Sequence, residues 1–293
     1  MKRILVITTG GTIACEESGK GLAPAHGGSE LLKGIAGCEL RILDLFACDS
    51  TDISLRQWKA LYSSVKNSSG FDGVVILHGT DTLEYTAAML YYTLSHLNIP
   101  VIITGAMLPF SHENSDGPRN IKDAVTVACD GRFKGVYAVF CGRIICGNRV
   151  IKVDSRDEDA FRSYDGNDCG KIEYGIITPY CYGEIPETAK LPESYKKIAV
   201  IKLTPFTYEL TVPDGSCGAV IESFGAGGIP IRLAPALRQL CSRMPVVITT
   251  PCIHGTDLTE YEVGQRALSC GAMDSKGVST ACAVVKMWLN ITN

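Results

Sequence analysis

The sequence predicts an α/β protein, a larger N-terminal doubly wound parallel sheet followed by a smaller C-terminal α/β unit. Three observations predict it. Short β-branched apolar runs alternate with helical patterns over roughly the first 145 residues, the grammar of a parallel sheet covered by helices. Several of these runs stop abruptly in turns of glycine and hydroxyl residues, as buried strands do where they leave a sheet. After a stretch rich in charge clusters, a second alternation begins at Ile198-Ala199-Val200-Ile201.

The elements follow in order. Strand-like runs lie near 3 to 8, 39 to 46, 73 to 77, 100 to 104 and 135 to 141. A helix is expected after the second run, capped by Ser54 with Gln57 three residues on. The clearest helix follows Asp81: Leu83, Ala87, Leu90, Leu94 and Leu97 recur at helical spacing, and Asp81 with Glu84 reads as a capping-box start. Another opens at Pro118, a good first-turn residue, with Ile121, Ala124, Val125 and Ala128 on one face. Residues 147 to 197 read as a long connection with some short strands. Further strands are expected at 218 to 224 and 246 to 250, and a last helix from Val278 to Leu289. The resulting domains are 1–180, a linker at 181–197, and 198–293.

Bulk properties narrow the function. The chain has 293 residues, 46% hydrophobic and 20% charged, with a mean hydropathy of +0.13, enough apolar matter for a sizeable core. Its net charge of −3 offers no footprint for a phosphate backbone, so no nucleic-acid partner is expected. Met1-Lys2-Arg3 leads into a short apolar run that ends in Thr-Thr-Gly-Gly, which reads as a first strand and not a signal peptide. No run approaches the roughly 18 apolar residues that cross a bilayer, so no membrane association is expected. Thirteen cysteines, without a Cys-x-x-Cys pair, read as mostly buried thiols of a reducing cytoplasm.

The chemistry is concentrated at strand ends, where open α/β sheets bind ligands. Thr8-Thr9-Gly10-Gly11-Thr12 can aim freed backbone amides and the Thr12 hydroxyl at a small anionic or carbonyl group, although an ordinary turn explains a bare Gly-Gly as well. It is neither a dinucleotide fingerprint nor a P-loop. In His78-Gly79-Thr80-Asp81-Thr82, a packed histidine and a helix-capping aspartate are the plain readings; a second hydroxyl beside orphan helix amides is the functional one. Asp49-Ser50-Thr51-Asp52 caps and turns, or hydrogen-bonds the charged end of a substrate. Thr104-Gly105-Ala106-Met107 would let backbone approach a ligand. Two threonine turns on one sheet suggest acyl transfer by a threonine nucleophile. A threonine hydroxyl needs a base or cation beside it, and Lys152 in Arg149-Val150-Ile151-Lys152 is a candidate, against the plain reading of a surface lysine.

These residues resemble a known family. T-T-G-G-T-I-A at Thr8 to Ala14, D-S-T-D-I at Asp49 to Ile53, H-G-T-D-T at His78 to Thr82, T-G-A-M at Thr104 to Met107, S-D-G-P-R-N at Ser115 to Asn120, G-N-R-V-I-K at Gly147 to Lys152 and S-F-G-A-G-G-I-P at Ser223 to Pro230 are similar, in order, to bacterial-type L-asparaginases, and more closely to their cytoplasmic type I branch. The resemblance implies a flavodoxin-like first domain and hydrolysis of L-asparagine to L-aspartate and ammonia without metal or organic cofactor, leaving L-glutamine open as a minor substrate. By motif position Thr12 is implied as the nucleophile, and Thr80, Asp81 and Lys152 as the set that moves protons. Ser50 and Thr51, with Asp81, are implied to hold the substrate's α-carboxylate and α-ammonium. Main-chain groups around Thr80, and Ala106, are implied to contact the amide, with Gly11 and Gly79 also among the substrate-binding residues. A homodimer or homotetramer is also implied.

The chain departs from the pattern in two places. Leu22 stands where many members carry a tyrosine beside the nucleophile, which leaves the base for Thr12 unassigned; His26, on the glycine-rich lid expected from Cys15 to Gly28, is a candidate to enter on closure. Type I relatives also bind asparagine at a regulatory place near the segment matching Thr249 to His254, but Glu222-Ser223-Phe224 differs from the arginine-bearing context expected there. Two other readings stand beside this one: a noncatalytic small-molecule module on the same sheet, and an amidotransferase subunit supplying ammonia to a tRNA-bound substrate, a job whose related chains carry an extra N-terminal domain.

Overall fold

The computed structural model describes residues 1–11, 13, 15–18, 21–24, 31–32 and 34–291. It forms two compact units, one of Met1–Ser163 with Asn167–Thr188, the other of Tyr164–Gly166 with Ala189–Asn293.

The first unit contains β1 (Arg3–Gly10), β2 (Cys15–Ser18), β3 (Gly21–Pro24), β4 (Glu39–Cys48), α1 (Leu55–Lys66), β5 (Gly73–Leu77), α2 (Leu83–Leu94), β6 (Pro100–Thr104), α3 (Gly117–Asp130), β7 (Gly135–Phe140), β8 (Arg143–Cys146), β9 (Val150–Lys152), β10 (Phe161–Ser163), β11 (Gly170–Glu173) and β12 (Ile176–Pro179). Its main sheet is eight-stranded, in the order β12-β11-β8-β7-β6-β5-β1-β4. From β4 to β7 every pair is parallel. Counted along the chain, those parallel strands follow the flavodoxin-like order 2-1-3-4-5, with the switch point between β1 and β5. β5, β6 and β7 are buried along their whole length, which is why their sequences are unbroken apolar runs rather than alternating ones.

Two helix starts follow their sequence signals. Ser54 and Gln57 form the capping box of α1. α3 carries Pro118 in its first turn, buries Ile121, Ala124, Val125 and Ala128, and ends at Gly131 in the left-handed region at φ 74°. A third start differs from expectation. Thr80–Thr82 forms a single 3-10 turn, α2 begins at Leu83, and its N-cap, Thr82, makes no side-chain cap bond. Asp81 and Glu84 do not cap this helix because both carboxylates face Lys152, as described below. The short strands expected in the 147–197 stretch are present and are built into sheets. β9 and β10 form an antiparallel hairpin, while β8, β11 and β12 extend the main sheet antiparallel beyond β7. The large sheet is therefore mixed and not wholly parallel.

The second unit contains β13 (Lys197–Lys202), β14 (Ser216–Glu222), α4 (Ala234–Cys241), β15 (Val246–Thr249), α5 (Glu262–Ser269), β16 (Met273–Asp274) and α6 (Thr280–Trp288). Its four strands are parallel in chain order. Ala219, Ile221 and Ile248 pack with Leu233, Leu237 and Ala267 in one core cluster, while Val220 packs with Ala283 and Met287 in another, so alternate β14 residues feed helices on opposite faces. Among the described residues no helix is long and apolar enough to cross a membrane.

Candidate functional site

Three chain segments meet where β1 and β5 leave the sheet. Where β1 ends, Gly10 and Gly11 adopt φ of 92° and 83°, left-handed values that glycine takes without strain, and the Gly11 amide donates to the Cys48 carbonyl at 3.1 Å. A Cβ at Gly11 would lie 2.3 Å from Gly79 Cα, and one at Gly79 would lie 2.7 Å from both Cβ and Oγ of Ser50. The Gly11 and Gly79 backbones therefore touch, with Ser50 against them. Ser50 and Thr80 are both buried. The Thr82 hydroxyl donates to the Ser50 carbonyl at 2.7 Å and fixes one turn to the other.

Thr80 is where distant sequence arrives. The Lys152 ammonium donates to Thr80 Oγ1 at 2.8 Å and to Asp81 Oδ1 at 2.6 Å, although Lys152 stands 72 residues from Thr80. Its backbone amide donates to Glu84 Oε2 at 3.1 Å, so the first turn of α2 holds β9 in place. Burial pushes the Glu84 carboxyl up, partly offset by that hydrogen bond and by the lysine's charge. An ammonium bonded to a buried hydroxyl lowers the energy of negative charge on its oxygen, and Asp81 balances the lysine. The arrangement can hold and relay a proton beside a strand-end crevice.

His78 serves structure rather than chemistry. It is fully buried, its Nδ1 faces the Gly79 carbonyl at 2.7 Å, and its Nε2 lies 3.0 Å from Thr86 Oγ1. A carbonyl only accepts, so Nδ1 carries the proton and Nε2 accepts from Thr86, which itself accepts from Trp58 Nε1 at 3.0 Å. Burial holds this imidazole neutral, lowering its pKa to about 4.

On the next strand, the His78 amide donates to the Thr104 carbonyl at 2.8 Å, and a Cβ at Gly105 would come within 2.3 Å of the His78 oxygen. This brings buried Ala106 beside the Thr80 turn. The loop after β6 is held by Asp116, whose carboxylate accepts from the Met107 and Leu108 amides at 3.0 Å, and by Asn120, which donates to the Gly105 carbonyl at 3.0 Å. Thr51 is exposed, its hydroxyl donating to Asp49 at 2.8 Å.

The structure thus brings together Gly11, Ser50, Gly79, Thr80, Asp81, Ala106 and Lys152, with Thr51 at the rim. Thr12 and His26 lie outside the described residues. Cys15–Ser18 and Gly21–Pro24 pair as an antiparallel hairpin in which Leu22 stands opposite Glu17. Sequence reading missed Glu84 as an anchor, because it already satisfied a local capping pattern. It also missed Asp116 and Asn120, although their signal was present in the matched run Asp116-Gly117-Pro118-Arg119-Asn120.

Fold and site define an α/β protein with a hydroxyl, lysine and carboxylate gathered at the switch point of a flavodoxin-like sheet. Residues 3–180 match the family model described as asparaginase, N-terminal, and residues 199–293 match the glutaminase/asparaginase C-terminal domain. The chain belongs to the asparaginase family. It is 36% identical over 302 residues to an L-asparaginase of Thermococcus kodakarensis, covering 98% of this chain and 92% of the relative. It is 30% identical to a glutamyl-tRNA(Gln) amidotransferase component of Methanobrevibacter smithii, covering 98% of this chain and 71% of that protein. A solved structure of the thermostable L-asparaginase from Thermococcus kodakarensis superposes with a TM-score of 0.88 at 32% identity, covering 99% of this chain and 93% of that one.

Proposed function

We propose that this chain hydrolyses the side-chain amide of L-asparagine, releasing L-aspartate and ammonia, with Thr12 as nucleophile. The single observation that carries the reading is the Lys152 ammonium bonded to both Thr80 and Asp81 beside the Gly11 and Gly79 backbones. The Thr12 oxygen adds to the amide carbon, the C–N bond breaks, and nitrogen leaves as ammonia after taking a proton. Water, deprotonated through Thr80, then cleaves the acyl-enzyme and returns the proton to Thr12. The Lys152 ammonium donates one N–H to Thr80 and another to Asp81, so charge on the Thr80 oxygen is neutralised as it forms. Ser50, Thr51 and Asp81 hold the α-carboxylate and α-ammonium, and main chain at Gly11, Gly79 and Ala106 lies along the amide. L-Glutamine is a minor substrate. Residues 1–180 carry this chemistry, and the C-terminal domain follows them. The enzyme works in the cytoplasm as a homo-oligomer; the twelve cysteines whose side chains are described are free thiols, which suits a reducing compartment.

The likeness to an amidotransferase component favours a second reading, in which released ammonia passes to a tRNA-bound acceptor. Ammonia release from asparagine by the purified chain, measured with and without tRNA, separates the two. Hydrolysis that needs no tRNA supports the asparaginase reading, and none without it sinks that reading. Thr12→Ala and Thr80→Val should each fold and lose more than tenfold in rate; retention of more than about a tenth, under 1.4 kcal/mol of barrier, removes that residue from the mechanism.

A further inference from the structure

Away from the strand-end turns, three cysteines converge at the antiparallel margin of the first unit's sheet. Cys146 closes β8, Cys169 directly precedes β11, and Cys181 lies two residues beyond β12. The backbone explains why the last two share a face. β11 and β12 pair with Gly170 opposite Pro179, which sets Cys169 opposite Tyr180. The Cys169 carbonyl accepts from two consecutive amides, Tyr180 at 2.8 Å and Cys181 at 3.1 Å. Two residues facing one is a β-bulge, and a bulge re-aims a side chain that strict alternation would send to the opposite face. The Cys181 thiol accordingly stays on the Cys169 side of the strand pair, donating to the Asp168 carbonyl at 3.9 Å, and the Cys169 thiol interacts with those of Cys181 and Cys146 on either side of it.

Accessibility divides the three. Cys146 and Cys169 are buried, whereas Cys181 is exposed. Cys146 is also roofed by the chain, since a Cβ at Gly183 would stand 2.7 Å from its sulfur. An oxidant in water meets Cys181 first. Behind it, the bond to Cys146 and burial push the Cys169 thiol up, so Cys169 is a poor first nucleophile but a placed second one. The two amides that bond the Cys169 carbonyl hold the Tyr180–Cys181 backbone across from Cys169, the juxtaposition needed by a disulfide, which spans about 4.4 to 6.8 Å between Cα atoms.

We propose that Cys181 and Cys169 form a peroxide-responsive dithiol, closed to a disulfide by hydrogen peroxide and reopened by a small thiol reductant. In the first step the Cys181 sulfur, as thiolate, attacks the O–O bond, forming a sulfenic acid and expelling hydroxide, which takes up the proton the thiol gave up and leaves as water. In the second the Cys169 sulfur displaces the hydroxyl from Cys181, and its thiol proton leaves with that hydroxyl as a second water. Two thiols are oxidised by two electrons and one peroxide is reduced. Reopening is thiol–disulfide exchange, with the reductant attacking the exposed Cys181 sulfur.

The test treats the full chain with equimolar hydrogen peroxide, alkylates remaining thiols under denaturing conditions, and maps the peptides by mass spectrometry. The expected result is a Cys169–Cys181 cross-link that forms before any other cysteine is oxidised, disappears on reduction, and is absent in Cys181→Ser. In Cys169→Ser, Cys181 should instead stop at a sulfenic acid trapped by dimedone. A Cys146–Cys169 link, a Cys181 that passes to sulfinic acid in the wild type with Cys169 still reduced, or a Cys181 that does not react would each overturn the proposal. The wild-type map decides the matter even if a buried-site variant fails to fold.

Discussion

At the scale of single residues, the site is supported by groups whose ionisation is set by burial. His78 is neutral in the fold, with a pKa lowered to about 4, while an unfolded histidine titrates near 6.5. Between those values the unfolded chain binds the extra proton, so the stability His78 contributes is complete above pH 6.5 and is lost as pH falls toward 4, by about 3 kcal/mol in all. His78→Gln should flatten the dependence of the urea midpoint on pH across that window, and an unchanged slope would contradict a buried neutral imidazole. Glu84 has the opposite sign. Its folded pKa is raised by burial, so the folded state holds its proton to higher pH and stability falls as pH rises from the unfolded value of 4.5 toward the folded one. Glu84→Gln, whose amide oxygen can still accept from the Lys152 backbone, should match or exceed the wild type in urea stability at pH 7. It should also keep Lys152 within reach of Thr80, so a large loss of activity would assign Glu84's charge a part in the chemistry. Sequence and structure agree at His78 and part at Glu84. His78 and Glu84 each had a complete local explanation, and only for His78 was the local explanation the right one. For Glu84 the partner arrives 68 residues later in the chain, and no spacing rule announces it.

At the scale of elements, the turns after β1 and β5 work because two glycine backbones touch. Gly79 has an ordinary φ of −69°, so its requirement is one of space, not of conformation. Gly79→Ala would drive a methyl into Ser50 at 2.7 Å and toward Gly11 Cα at 3.2 Å, and should cost about 1–3 kcal/mol in urea denaturation. A cost near zero would mean that the turns are looser than their contacts imply. The parallel strands were legible because burial on both faces leaves a continuous apolar signature, as in Gly73–Leu77. The antiparallel margin was not. β11 and β12 are four residues each, with exposed Glu173 and Ile176, and so carry neither a long apolar run nor a clean alternation. The start of α2 was misplaced for a related reason: a capping pattern is a purely local signal, and Lys152 outcompetes it for Asp81.

At the scale of the whole molecule, both units repeat one principle, parallel strands with helices packed against them. The chemistry legible in the sequence lay on the C-terminal ends of strands in the first unit, since hydroxyl and glycine residues there interrupt apolar runs conspicuously. The convergence of those ends depended on strand order, which a linear sequence does not display. That order also has a temporal side. β1 precedes β4 and β5 in the chain, yet it lies between them and pairs residue by residue with Gly73–Leu77. Until β5 is synthesised, one apolar edge of β1 waits without its permanent neighbour, a span in which a nascent chain is open to mispairing and to chaperone capture. A fragment of residues 1–72 should therefore show no slow-exchanging amides at Val6 and Ile7, whereas in the full chain these should exchange only on global unfolding. Protection of those amides in the fragment would show that β4 alone is a sufficient partner. Because the Gly10-Gly11 turn hangs from the end of β1, and Lys152 lies 72 residues beyond Thr80, the cluster at these strand ends is joined by a residue translated well after the turns that receive it: the chain is assembled around a centre that it completes late.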